Sequence, residues 1–182
     1  MIALDTQRLA VPVSDRDHVI GPAEAPVTVV TYGDYECPGC QSRHRATEKI
    51  FAELDNRVRF VYRHFPILKV HPRALRAAEA AEAAAAQGKF WEMHRLLYSR
   101  SRKLSDPELR RHARTIGLDL VKFDRDMASG AYTEQIKKGY YDSIISGISG
   151  APTTFVNGAL FPMSGVELLT AVAVTLENYG TR

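Results

Sequence analysis

Strand-forming runs occur only near the two ends of this chain, and everything between them reads as helix after helix. Residues 27–32 (VTVVTY) are β-branched and almost continuously apolar, the pattern of a central strand covered on both faces. Residues 57–65 (RVRFVYRHF) alternate, are rich in β-formers and end at Pro66. Between these runs, SRHRATEKIFAEL sets Ile50, Phe51 and Leu54 among charges, which predicts an amphipathic helix. The opening is therefore β-α-β, which implies a parallel pair joined by a crossover helix. Strand character returns only at APTTFVNGALF, where Asn157-Gly158 between two apolar runs signals a hairpin. GVELLTAVAVTLENYG then closes the chain as a helix. The order β-α-β, helical block, β-β-α constrains the fold to an α/β sheet interrupted by an all-helical insertion.

The block is well punctuated. PRALRAAEAAEAAAAQG opens with Pro72 at a permitted first-turn position and closes at Gly88, and its small side chains suit close packing. KFWEMHRLLYSR supplies bulk through Phe90, Trp91, Met93, Leu96 and Leu97. SDPELRRHARTIG has a serine or aspartate cap, an early proline and a terminal glycine. LVKFDRDMASG and AYTEQIKKGYYDSIISG give two further helices, whereas the first ~20 residues are turn-rich and read as an extended lead-in. No repeat or low-complexity linker divides the chain. One domain is expected over residues 1–182, with a sheet core near 26–66 and 150–180 and the insertion near 72–148.

With 45% hydrophobic and 25% charged residues the chain can bury a core without disulfides. Its net charge of +3 is scattered rather than gathered into a basic stripe, so nucleic acid is not an expected partner. No apolar run reaches the ~18 residues of a spanning helix, so no membrane segment is expected. The N-terminus lacks a basic start followed by an apolar stretch, which points to the cytoplasm; a trimmed periplasmic form would read the same.

Both cysteines of the chain, Cys37 and Cys40, sit in CPGC at the end of the first strand and the start of the first helix. A cysteine there meets unpaired N–H groups and the positive end of the helix dipole, which favour thiolate over thiol. Pro38 fits the first turn without losing a hydrogen bond, and Gly39 completes the two-residue spacer that brings Cys40 round beside Cys37. Cys37 can then attack or be attacked, and Cys40 can resolve the mixed disulfide. Cys37, Cys40 and His44 also offer three zinc ligands, but structural zinc takes four and no second C-x-x-C is present. Inert structural cysteines are the other alternative.

CPGC after a strand, the element order and the strings DHVIGPAEAPVTVV, YGDYECPGC, YRHFP, HPRALRAAEAAEAAAAQGKFWEMHRLL and GAPTTFVNG span residues 17–158. Together they resemble the thioredoxin-fold thiol–disulfide oxidoreductases, in particular the DsbA-like branch. The resemblance implies a thioredoxin-like α/β fold with a helical insertion. It implies Cys37 as nucleophile, Cys40 as resolving thiol, and Pro152 as a cis-proline facing them, with the Ala151 backbone free to pair with an extended substrate. The bland alternative is a trans proline that merely starts a strand. It also implies protein or small-molecule thiols and disulfides as substrates, a redox partner that resets the pair, and no cofactor, because the cysteines carry the electrons.

Two departures stand out. Many relatives carry an acidic side chain six residues before the first cysteine, where this chain has Thr31; Asp34 and Glu36 lie nearer, and Asp34 is either a proton handler or a turn cap. Pro-Gly also replaces the Pro-His of strongly oxidising relatives, removing one donor to the thiolate and pointing to a milder poise. His64 is expected to be a hydrogen-bonded strand-end residue and His94 a helix-packing one; His44, one turn beyond Cys40, is a minority candidate to raise or relay charge there. A kappa-class glutathione transferase or isomerase is the enzymatic rival, but those relatives rely on a serine or single thiol. A redox-inactive or zinc-binding module is the rival from another class.

Overall fold

The computed structural model describes residues 7–162 and 165–179. They fall into two compact units, one of residues 7–33, 42–63, 152–162 and 165–179, the other of Asp34–Gln41 and His64–Ala151.

The first unit is built on a five-stranded sheet of β1 (His18–Ile20), β2 (Val27–Gly33), β3 (Val58–His64), β4 (Thr153–Val156) and β5 (Ala159–Phe161). Their spatial order is β1-β3-β2-β4-β5, so the apolar run read as a central strand is central, and Val27, Val29, Val30 and Tyr32 are buried. Strand β4 runs antiparallel to β2, with Thr31 opposite Thr154, and antiparallel to β5. The β4–β5 turn is Asn157-Gly158, both at positive φ (46° and 78°), the two-residue turn whose twist matches paired strands. Asn157 also accepts from the Thr28 N–H at 2.7 Å and donates to the Pro26 carbonyl at 3.1 Å, fixing the hairpin to the start of β2. Helix α1 (Pro38–Leu54) supplies its later turns to this unit. The closing helix, numbered α7 (Gly165–Tyr179), buries Leu168, Val172 and Leu176, a stripe at four-residue spacing.

The lead-in is not merely extended. Its residues 18–20 form β1, antiparallel to β3, with Val19 opposite Val61. Three residues between polar turns are too few to display a period, so only pairing to β3 reveals the strand. Gly21 ends it at φ +92°, where a Cβ would collide with the Val58 carbonyl oxygen, so no larger residue fits without displacing backbone. Arg63 ties the lead-in down: its guanidinium donates to both Asp17 carboxylate oxygens (2.7 and 2.9 Å), to the Val11 and Pro12 carbonyls and to the Tyr32 hydroxyl. Burial alone would raise the Asp17 carboxyl, but the bonds from Arg63 and the Ser14 N–H outweigh it and hold the pKa below the usual range.

The second unit holds α2 (Ala74–Ala85), α3 (Phe90–Ser99), α4 (Asp106–Thr115), α5 (Leu120–Ser129) and α6 (Thr133–Ile145). Helix α2 packs against each of the other four, which explains its composition: Ala74, Ala77, Ala78, Ala80, Ala81, Ala83 and Ala84 are all buried. Small side chains on several faces let several helices approach at once. It starts at Ala74, two residues beyond Pro72, so the proline belongs to the entry turn rather than the first helical turn. The other ends follow the sequence punctuation. The Glu108 carboxylate accepts from the Ser105 N–H and hydroxyl ahead of α4, and Asp119 accepts from Val121 and Lys122 at the start of α5. Gly130, at φ +61°, ends α5.

Candidate active site

The cysteine turn, residues 34–41, belongs to the helical unit. Strand β2 ends at Gly33, and α1 begins at Pro38, so Cys37 occupies the residue just before the helix. There its sulfur accepts from the Cys40 N–H at 3.4 Å, the place a capping oxygen would take, and its carbonyl accepts from the Gln41 N–H. Pro38 and Gly39 are exposed, Cys37 is 8% exposed and Cys40 2%. Both cysteines are free thiols.

The two sulfurs are held in opposite states. The Cys40 thiol donates to Cys37, and the Cys40 and Gly39 N–H groups add to it. These outweigh burial and the nearby Asp34 charge, and bring Cys37 down to about 6. Burial pushes Cys40 far up, reinforced by its bond to Cys37 and by the charge there. Near neutral pH the site thus holds a thiolate at Cys37 beside a protonated Cys40. When protonated, Cys37 points its S–H at the Ala151 carbonyl at 3.6 Å, so the start of the GAPTTF segment lies against the nucleophile. Pro152 follows Ala151 and begins the return to the sheet unit.

Asp34 is the residue that sequence reasoning left between two roles. Its side chain is fully buried, 0% exposed. One carboxylate oxygen accepts from the Glu36 N–H, the other from the Ile67 N–H and from His71 Nδ1, each at 2.8 Å. Because a carboxylate can only accept, His71 must carry its proton on Nδ1. Glu36 adds a second tie, accepting from the Arg73 N–H at 2.7 Å ahead of α2. The cysteine turn is therefore fastened to the 66–73 loop by two acidic side chains. His71 was missed from sequence; the available signal was a lone polar ring in the apolar loop PILKVHP.

Tyr35 was missed as well. It is buried against the Tyr98 ring and shares a hydrogen bond at 3.0 Å between its hydroxyl and His94 Nδ1. His94 stacks on Phe90 beside Trp91, in keeping with its packing role, but it also anchors the cysteine turn through Tyr35. His64 ends β3 and pairs with Glu82 of α2 at 2.8 Å, as a bonded strand-end residue should. Gln41 donates to the Tyr98 carbonyl, a further tie between α1 and α3. Thr31 and His44 both lie in the sheet unit. Thr31 faces Thr154, hydroxyl to hydroxyl at 3.1 Å, so a neutral pair occupies the position where an acid was noted as missing. His44 is half-buried on α1.

A family model described as Thioredoxin matches residues 13–172. The chain is 32% identical to a thioredoxin-like oxidoreductase from Silicibacter pomeroyi, with TM-score 0.75, over 90% of this chain and 94% of that one. The α-DsbA1 of Wolbachia pipientis, at 17% identity and TM-score 0.78 over 94% and 96% of the two chains, shares the fold. Among curated proteins, the Na(+)/H(+) antiporter NhaA 1 of Salinispora arenicola is 46% identical over 176 residues, 96% of this chain and 27% of that protein. The chain thus spans roughly a quarter of the length of the curated relatives it matches.

Proposed function

Since the chain belongs to the thioredoxin family, with the DsbA-like fold in which a helical block interrupts the sheet, we propose that it is a thiol–disulfide oxidoreductase working through Cys37 and Cys40. The observation that carries this reading is the placement of the two sulfurs: Cys37 just ahead of α1 with its sulfur accepting from the Cys40 N–H, and Cys40 buried one turn on with the Asp34 N–H directed at it, an arrangement that lowers the Cys37 pKa and raises that of Cys40.

In the oxidised form a substrate thiolate attacks Cys37 Sγ, the Cys37–Cys40 bond breaks, and the electron pair leaves on Cys40. A second substrate thiolate then attacks the substrate sulfur of the mixed disulfide and releases Cys37 as its stable thiolate. Run in reverse, Cys37 attacks a substrate disulfide, and Cys40 loses its proton and displaces the substrate thiol. Exposed Pro38 and Gly39 leave the approach to Cys37 open, and the Ala151 backbone offers an edge to an extended substrate. On this reading the Ala151–Pro152 bond is cis, the chain is one DsbA-like domain, and its substrates are protein or small-molecule thiols and disulfides. A second redox partner resets the pair, no cofactor is needed, and the reaction takes place in the cytoplasm. Ion exchange, named for the longer relatives, is not assigned to this segment; among the described residues no helix is long and apolar enough to cross a membrane.

Two variants test the assignment. Cys40→Ser should accumulate mixed disulfides when given disulfide-bonded peptides, Cys37 displacing one peptide thiol and keeping the other half, visible by mass spectrometry, and Cys37→Ser should abolish exchange. Adducts on Cys40 in place of Cys37, or exchange surviving Cys37→Ser, would refute the roles.

A further inference from the structure

We propose that Asp34 and His71 form a positioning pair for the resolving thiol, an inference that rests on the exchange reaction proposed above. The Asp34 carboxylate is fully buried, and among the described residues its only charged or titratable side-chain partner by direct bond is His71, itself 18% exposed. A buried carboxylate is costly unless its lone pairs are met, and here three donors meet them: His71 Nδ1 and the Glu36 and Ile67 N–H groups. These bonds fix the residue from two sides.

What they fix is a residue whose backbone bonds to both cysteines. The Asp34 N–H points at Cys40 Sγ at 3.4 Å, and the Asp34 carbonyl accepts from the Cys37 N–H at 3.2 Å. Both directions of exchange place negative charge on Cys40. In one, the electron pair of the breaking disulfide leaves on its sulfur; in the other, it sheds its proton to a base in solution and attacks the mixed disulfide. Cys40 is only 2% exposed, so water is poorly placed to stabilise that charge, and the Asp34 N–H is an oriented donor already in place. The orientation of that N–H is set by the carboxylate, and the carboxylate is held in part by His71. Loss of the His71 donor also leaves the Asp34 charge less compensated beside the thiols, so loosening and repulsion act in the same direction. Among the described residues, the titratable groups that face this carboxylate are His71 and the two cysteines; Glu36 is engaged instead with the Arg73 N–H.

The test uses the Cys37–glutathione mixed disulfide and follows its resolution by Cys40 across pH, in variants that retain the near-ultraviolet circular dichroism of the parent. His71→Ala or His71→Leu, the second keeping the bulk, removes the donor; either suffices. Resolution should slow about tenfold at pH 7, the worth of one hydrogen bond to a charged group. Its half-maximal pH should rise by about one unit. His71→Asn, whose amide nitrogen can take the place of Nδ1, should stay within about twofold of the parent, because the bond to the carboxylate is retained. A donor-less variant with the parental rate and pH midpoint would overturn the proposal, as would a folded His71→Asn protein as slow as the donor-less ones. A parent protein that exchanges no disulfides would refute the proposed function instead. The pair would then be judged by iodoacetamide labelling of Cys40 in a Cys37→Ser background: a shift to higher pH on removing the His71 donor supports it, and no shift refutes it.

Discussion

At Cys37 a single sulfur collects donors from the Cys40 thiol and from the Cys40 and Gly39 N–H groups, and these exceed the opposing effects of burial and the Asp34 charge. The outcome is a nucleophile charged near neutral pH with no basic side chain bonded to it among the described residues. Reduced protein treated with iodoacetamide should therefore label Cys37 first, with a rate that halves near pH 6, while Cys40 stays unlabelled through pH 8. Peptide mapping by mass spectrometry reads both sites at once. Labelling of Cys40 first, or a midpoint in the ordinary thiol range above 8, would contradict this account of the donors.

Among the elements, α2 shows how composition can encode packing. It meets α3, α4, α5 and α6, and its alanines are buried on more than one side, so added volume has no free direction. Ala80→Leu should cost about 1–3 kcal/mol by overpacking, whereas Ala86→Leu, at the exposed end of the helix, should stay within about 0.5 kcal/mol. Urea denaturation of the two variants separates these outcomes. Equal costs would mean that the alanines reflect helix propensity rather than close approach. The short cysteine turn is an element of another kind, held by side chains from outside it: Asp34 and Glu36 reach the 66–73 loop, and Tyr35 reaches α3.

For the molecule as a whole, the charge on Cys37 links redox state to stability. Folding depresses this pKa, so the reduced protein gains stability that is complete above the ordinary thiol range and is lost as pH falls through about 6. Cys40 is displaced upward, so its own contribution changes only above the ordinary thiol range. The oxidised protein has neither group. Comparing melting temperatures of the two forms between pH 8 and pH 5, the reduced form should lose ground to the oxidised one as pH falls. A difference that does not move with pH would mean that the Cys37 thiolate gains nothing from the fold.

The sequence by itself determined the α/β order, the helical block, the Asn157-Gly158 hairpin and the CPGC turn, because each is written in local periods and backbone preferences over a few residues. It also placed His64 and His94 in bonded, packed roles, which their partners bear out. Tertiary structure alone decided the rest. Strand β1 is three residues long and exists by pairing with β3. Arg63 gathers carbonyls some 50 residues away, a bond that no local pattern announces. Asp34 looked like either a cap or a proton handler because its meaning depends on His71, 37 positions along the chain. Periodicity reports which face of an element is apolar; it carries no information about which distant donor will meet a buried carboxylate, because that is set only when the chain has closed around it.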